Sequence, residues 1–162
     1  MMGRTKHRFA ASIATAVVAL SLTHAALADD AKAPGEVFVI LASEAEGPVD
    51  PSLSSVKALK EPPFNAFKSM KILSRSSFSL AGGAPFEVDL PNGRKLRITL
   101  RDLRKDGRFK VQVSINRPNQ ADYLPLLEVV VSPGEPFFVA GQKYQGGTLV
   151  VGVRVGERRA HK

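Results

Sequence analysis

Residues 86–115 read FEVDLPNGRKLRITLRDLRKDGRFKVQVSI, and this stretch decides the fold. Phe86, Val88 and Leu90 alternate with Glu87 and Asp89. Leu96, Ile98 and Leu100 alternate with Arg97, Thr99 and Arg101, and Phe109, Val111, Val113 and Ile115 with Lys110, Gln112 and Ser114. A period of two places every second side chain on one side of a pleated strand, so each run has an apolar face and a solvated face. The turns agree with this pattern. In Pro91-Asn92-Gly93, Pro presets φ and Gly takes the left-handed position of a three-residue hairpin loop. That loop sets Leu90 opposite Arg94, Val88 opposite Leu96 and Phe86 opposite Ile98. Asp106-Gly107 is a two-residue hairpin signal, which sets Leu100 opposite Val113 and Ile98 opposite Ile115. Leu103 falls out of phase and predicts a bulge near Asp102-Leu103. The inward set of Leu96, Ile98, Leu100, Phe109, Val111, Val113 and Ile115 represents at most roughly 10–20 kcal/mol of apolar burial.

Outward from this centre, residues 36–42 (EVFVILA), 126–131, 136–140 and 148–155 are rich enough in β-branched and large apolar side chains to be strands. Asp50-Pro51 is a helix start: Asp caps free N–H groups and Pro fits the first helical position. Leu53, Val56 and Leu59 then share a face, and the helix ends before Pro62-Pro63. Phe64 and Phe67 read as core plugs. Residues 141–147 read as a Gly-rich connection. The expectation is one mainly-β domain over residues 36–155 with about eight strands, a two-layer antiparallel β-sandwich carrying one short helical insertion. An α+β domain with the helix covering one sheet is the alternative.

The N-terminus reads as an export signal. Arg4, Lys6, His7 and Arg8 form a basic segment, Phe9 to Leu22 an apolar one, and Ala26-Leu27-Ala28 a small-residue cleavage site. The apolar run falls short of the ~20 residues of a comfortable membrane span. The chain therefore divides into a signal peptide over residues 1–28, a flexible leader over 29–35, the β-rich domain, and a basic tail over 156–162. Cleavage after Ala28 leaves 134 of 162 residues, and 20 of 23 Lys and Arg against all 15 acids. There is no cysteine, so no disulfide or lipid-bearing cysteine is available, and there is no Asn-x-Ser/Thr sequon. Together these features point to a bacterial periplasmic or secreted protein without a transmembrane segment after cleavage.

Past the signal peptide, the single histidine is His161. A Ser-His-Asp or Cys-His site and a His-based zinc site both need imidazoles held rigidly within the fold. Ser54 and Lys57 form an S-x-x-K spacing, but no Ser-Asp-Asn or Lys-Thr-Gly accompanies it, so it reads as helix surface. Glu44, Glu46 and Asp50 lack a calcium-loop spacing and read as a solvated acidic loop ending in a helix cap. Asp102 and Asp106 read as turn residues. No phosphate-binding glycine motif is present; Gly82-Gly83 and Gly146-Gly147 precede strands, not helices. No catalytic, cofactor-binding or metal-binding residue is nominated.

Charge is the most distinctive remaining feature. Residues 94–110 hold Arg94, Lys95, Arg97, Arg101, Arg104, Lys105, Arg108 and Lys110 against Asp102 and Asp106. Alternation directs Arg97, Arg101 and Lys110 away from the core. Arg97, Arg101, Arg108 and Lys110 are thus the candidate basic binding face, suited to an acidic glycan, an anionic lipid surface or an acidic protein partner. Export and the lack of interleaved aromatic side chains disfavour nucleic acid. A charged outer face also deters edge-to-edge aggregation, which alone is a sufficient reason for such a pattern.

At Asp50-Pro51, Pro62-Pro63-Phe64, Leu90-Pro91-Asn92-Gly93-Arg94 and residues 134–141 (GEPFFVAG), the chain resembles exported proteins of the myxobacterial kind to which no activity is attached. The resemblance implies export and carries over no activity and no site residue. The function expected from the residues is that of an exported, non-enzymatic binding or envelope-assembly protein. A structural subunit of an envelope complex, or a small carboxylate-dependent hydrolase or lyase, is the alternative.

Overall fold

In the computed structural model, which describes residues 32–157, eight strands form two antiparallel sheets, the β-sandwich expected from the alternation. In chain order these are β1 (Ala33–Ser43), β2 (Ser69–Leu80), β3 (Pro85–Asp89), β4 (Lys95–Leu103), β5 (Phe109–Asn116), β6 (Tyr123–Val131), β7 (Pro136–Tyr144) and β8 (Gly147–Val155). One sheet has the order β2-β1-β8-β7 and the other is the meander β3-β4-β5-β6. The chain leaves the first sheet after β2, builds the whole second sheet, and returns as β7 and β8. β8 then pairs with both β1 and β7. The signal peptide read over residues 1–28 lies outside the described residues, as do residues 29–31 of the leader and 158–162 of the tail.

The main core lies between the sheets. Leu96, Ile98, Leu100, Val111, Val113 and Ile115 of the second sheet are buried against Val37, Val39, Leu149, Val151, Val153 and Val155 of the first. Six of the seven side chains expected to face inward from β4 and β5 are buried, and Phe109 is half-buried against the same core.

A second, smaller core covers the outer face of the first sheet. β1 and β8 are apolar on both faces, so Phe38, Ile40, Ala42 and Val150 point away from the sandwich. The insertion after β1 covers them with Leu53, Leu59, Val56, Phe64 and Phe67. It begins as expected: the Asp50 side chain accepts from the Ser52 N–H at 2.9 Å, and Pro51 opens the one-turn helix α1 (Pro51–Ser54). The helix is shorter than its apolar spacing suggests. Val56 is extended, and two 3-10 turns follow, at Lys57–Lys60 and Phe64–Ala66. The expected side chains still meet the sheet, and Phe64 packs edge-on against Phe138 with ring centroids 5.8 Å apart.

Three expectations are corrected in detail. First, β1 begins at Ala33, inside the segment read as a flexible leader, because residues 33–35 pair with residues 78–80 of β2. Second, the connection read over residues 141–147 is mostly strand. β7 continues to Tyr144, a bulge sits at Gly141 (φ 137°), and the turn is the two residues Gln145 and Gly146. Third, the β4–β5 register differs. The Arg104 N–H donates to the Arg108 carbonyl and the Gly107 N–H to the Arg104 carbonyl, both at 2.9 Å. The loop is therefore the three residues 105–107, as in the Pro91-Asn92-Gly93 loop, and Gly107 takes φ 79°. One extra loop residue would turn every β4 side chain to the wrong face. A bulge at Arg101, just before the expected position, supplies the second offset. Leu100 pairs with Val111 and Ile98 with Val113, two residues from the expected register and with the same faces buried.

The sheet edges are protected in recognisable ways. β6, an edge strand, has Pro125 and a bulge at Leu126, both of which hinder pairing with another strand. Within the first sheet, the Phe38 ring packs against Gly152, where an added Cβ would come within 2.1 Å of a ring carbon. Gly152→Ala should therefore lower stability by about 1–3 kcal/mol through overpacking. Urea denaturation should show this as a lower midpoint; an unchanged midpoint would mean that Phe38 does not depend on the bare strand beneath it.

Candidate functional site

The β4–β5 hairpin carries the basic run, and the structure separates it into a paired body and an open tip. On the outer face of the second sheet, Arg97 lies between β3 and β6 partners. Its Nη2 is 2.7 Å from Glu87 Oε1, and its guanidinium carbon is 3.7 Å from the Tyr123 ring centroid. The Tyr123 hydroxyl donates to the same Glu87 oxygen at 2.9 Å, which closes the group. Lys110 is held by Glu128 of β6 at 2.8 Å, and Lys95 by Asp89 of β3 at 2.9 Å. Arg108 binds Asp106 within its own turn at 2.7 Å.

Arg94 acts as a structural tie. Its guanidinium donates to the Asn116 carbonyl at the end of β5 and to Gln142 Oε1 of β7 at 3.3 Å, joining the two sheets at one end.

The tip is different. Among the described residues, Arg101, Arg104 and Lys105 make no salt bridge, and all three are exposed. Thus Arg97, Arg108 and Lys110 of the candidate face each carry a carboxylate partner, and Arg101 does not. Arg104 and Lys105, outside the nominated four, complete the unpaired group. Their signal was present in the sequence as the charge run. Which members of the run are neutralised was not, because Glu87 and Glu128 reach it only through strand pairing.

This separation also shapes the electrostatics. Glu87 is held below its ordinary value, first by the hydrogen bond from Arg97 and then by the one from Tyr123. Burial raises the Tyr123 hydroxyl, with the Glu87 contact adding to it. Asp106 is lowered by the side-chain and backbone hydrogen bonds from Arg108, with the charge of Arg104 contributing.

A second ionic group, on the first sheet, was not legible in the sequence. Glu36 binds Arg75 of β2 and Arg154 of β8, both at 2.8 Å, and the two guanidiniums flank the Phe38 ring at 5.5 and 5.8 Å from its centroid. Glu36 is separated from these partners by 39 and 118 positions along the chain. Only the strand order β2-β1-β8 brings them together. The group ties three strands beside the helical insertion, and Arg75 also reaches Ser52 Oγ at 3.4 Å.

The carboxylates considered for acid–base chemistry do not converge. Glu44 and Glu46 are exposed in the loop after β1, and Asp50 caps α1. Asp102 and Asp106 lie at the opposite end of the sandwich, where Phe109 meets Gly156 and Gly156 bonds to Pro34. The length of β1 separates the two ends, roughly 30 Å at strand rise. These five residues therefore form no shared cleft. Among the described residues no group of three or more His, Cys, Asp or Glu is placed to hold a metal ion, and no helix is long and apolar enough to cross a membrane. Compared with known proteins, the chain matches no family model, no curated protein and no solved structure.

The Glu87–Arg97–Tyr123 group yields a pH prediction. The folded state lowers the Glu87 pKa, so its stabilising contribution is fully present above the ordinary value of 4.5 and is lost as pH falls through the depressed folded value. Glu87→Gln should therefore lower Tm at neutral pH, and the gap to the parent should narrow as pH falls below 4.5. A gap of constant size over that range would show that Glu87 ionisation does not support the fold.

Proposed function

We propose that this chain is an exported, non-enzymatic binding protein of the bacterial periplasm or extracellular space, and that its contact surface is the basic β4–β5 hairpin. The observation that carries this reading is the cluster of unpaired cations at the hairpin tip. Along the hairpin body each cation faces a carboxylate, and an ion pair already made at an exposed site contributes little field at a distance. At the tip, Arg101, Arg104 and Lys105 have no such partner. An anionic ligand gains most where it does not have to displace a resident carboxylate. The basic n-region, the apolar segment from Phe9 to Leu22 and the Ala26-Leu27-Ala28 site support export. The absence of cysteine fits stabilisation by the two packed cores alone.

The binding reading is tested on a soluble polyanion, with export checked on the same preparation: secreted protein should begin at Asp29. The triple variant Arg101→Gln, Arg104→Gln, Lys105→Gln is compared with Arg97→Gln, Arg108→Gln, Lys110→Gln. Both remove three charges, so net charge alone predicts equal losses. If the tip is the contact surface, the first variant loses affinity for heparin about a hundredfold at low salt and the second only a few-fold. Equal losses would reject the tip as the site. Parent-like binding by both variants would reject the hairpin altogether.

A further inference from the structure

We propose that the hairpin tip docks on an anionic lipid bilayer, with Leu103 entering the interface between the cations of Arg101, Arg104 and Lys105. The proposal rests on the reading of the hairpin as an anion-binding surface and names its ligand. Leu103 is 46% exposed, more than any other large apolar side chain among the described residues. It pairs opposite Phe109, on the side of the hairpin that faces the core, and is exposed where Phe109 is half-buried. Phe109 in turn sits against Gly156, whose N–H bonds to the Pro34 carbonyl. The tip therefore lies at one end of the sandwich, beside the points where the described chain begins and ends.

Charge placement fixes the direction of approach. The outer face of the second sheet carries Glu87, Asp89 and Glu128 next to its cations, and an anionic surface laid flat against it would meet all three. The segment 101–108 instead offers Arg101, Arg104, Lys105 and Arg108 against Asp102 and Asp106, and Asp106 is already bound by Arg108. An end-on approach brings the unpaired cations to the headgroups and the leucine to the acyl boundary. A soluble polyanion would use the same cations but would gain nothing from Leu103. A single apolar insertion combined with a few cations gives reversible attachment, since neither element suffices alone.

The experiment uses the chain from Asp29, because the apolar segment from Phe9 to Leu22 would itself partition into lipid. The chain has no tryptophan, so Leu103→Trp introduces a single indole reporter at the tip. Its emission should shift to the blue on vesicles of phosphatidylcholine and phosphatidylglycerol in equal parts, and should not shift on phosphatidylcholine alone. Removing the three tip cations should lower vesicle partitioning about a hundredfold at low salt, at roughly fivefold per cation. Leu103→Ser should lower it about tenfold while leaving heparin binding unchanged. An unshifted indole, or Leu103→Ser partitioning like the parent, overturns the proposal. Heparin binding that depends on the tip cations, without vesicle binding, overturns the lipid assignment and leaves the hairpin reading standing. Parent-like behaviour of the cation-free tip on both probes overturns both.

Discussion

Burial of β1 and β8 on both faces is the constraint from which the rest of this architecture follows. A strand with apolar side chains on one side needs one covering layer; Val37-Phe38-Val39-Ile40 and Leu149-Val150-Val151 need two. The second sheet supplies one cover. The other must come from a short segment, and residues 51–67 supply it with one helical turn, two 3-10 turns and two phenylalanines. The missing Cβ of Gly152 makes room for Phe38, and the Phe38–Phe138–Phe64 edge contacts extend from there into the insertion. The two central strands of the first sheet are thereby covered on both faces. The second keeps a whole face in water, and the polar chemistry of its central hairpin is displayed there.

Alternation revealed which residues of the second sheet face inward but not their register. Parity survives any shift of two, so the pattern at Leu96, Ile98, Leu100, Val111, Val113 and Ile115 fits both the expected and the observed pairing. The longer loop and the Arg101 bulge change the register while preserving parity. β2 was the least legible strand. Ser69, Ser74, Ser76, Ser77 and Ser79 give it no strand-like composition, and half of it is solvated at an edge. Residues 33–35 were missed for a related reason. Ala33-Pro34-Gly35 has no strand propensity and is ordered by distant partners, including the Phe78 ring that lies over Gly35.

The candidate surface was legible in composition and direction, and illegible in charge state. Reading residues 94–110 alone makes eight cations look available. Glu87 and Glu128 lie on strands to either side of the hairpin, so the neutralisation of Arg97 and Lys110 is a property of the four-stranded order. Arg94 is taken out of the surface for another reason: its donors are committed to Asn116 and Gln142, as a tie between the sheets. Local sequence shows how many charges there are. Topology decides how many of them a ligand would meet.

The open tip follows from the unequal reach of β3 and β4. β3 begins at Pro85, opposite Thr99, and so does not reach Arg101 or beyond. β4 continues past it as an edge strand paired only with β5, and no strand lies on its other side to contribute a carboxylate. On the inner side β5 stays paired with β6 through Phe109, and Leu100, Val111 and Phe109 hold the hairpin to the main core. The unpaired state of Arg101, Arg104 and Lys105 is thus a geometric consequence of β4 and β5 outreaching β3. Shifting Leu100 and Val111 out of the core would move these charges as surely as replacing them, which makes the position of the basic tip a property of the packing beneath it.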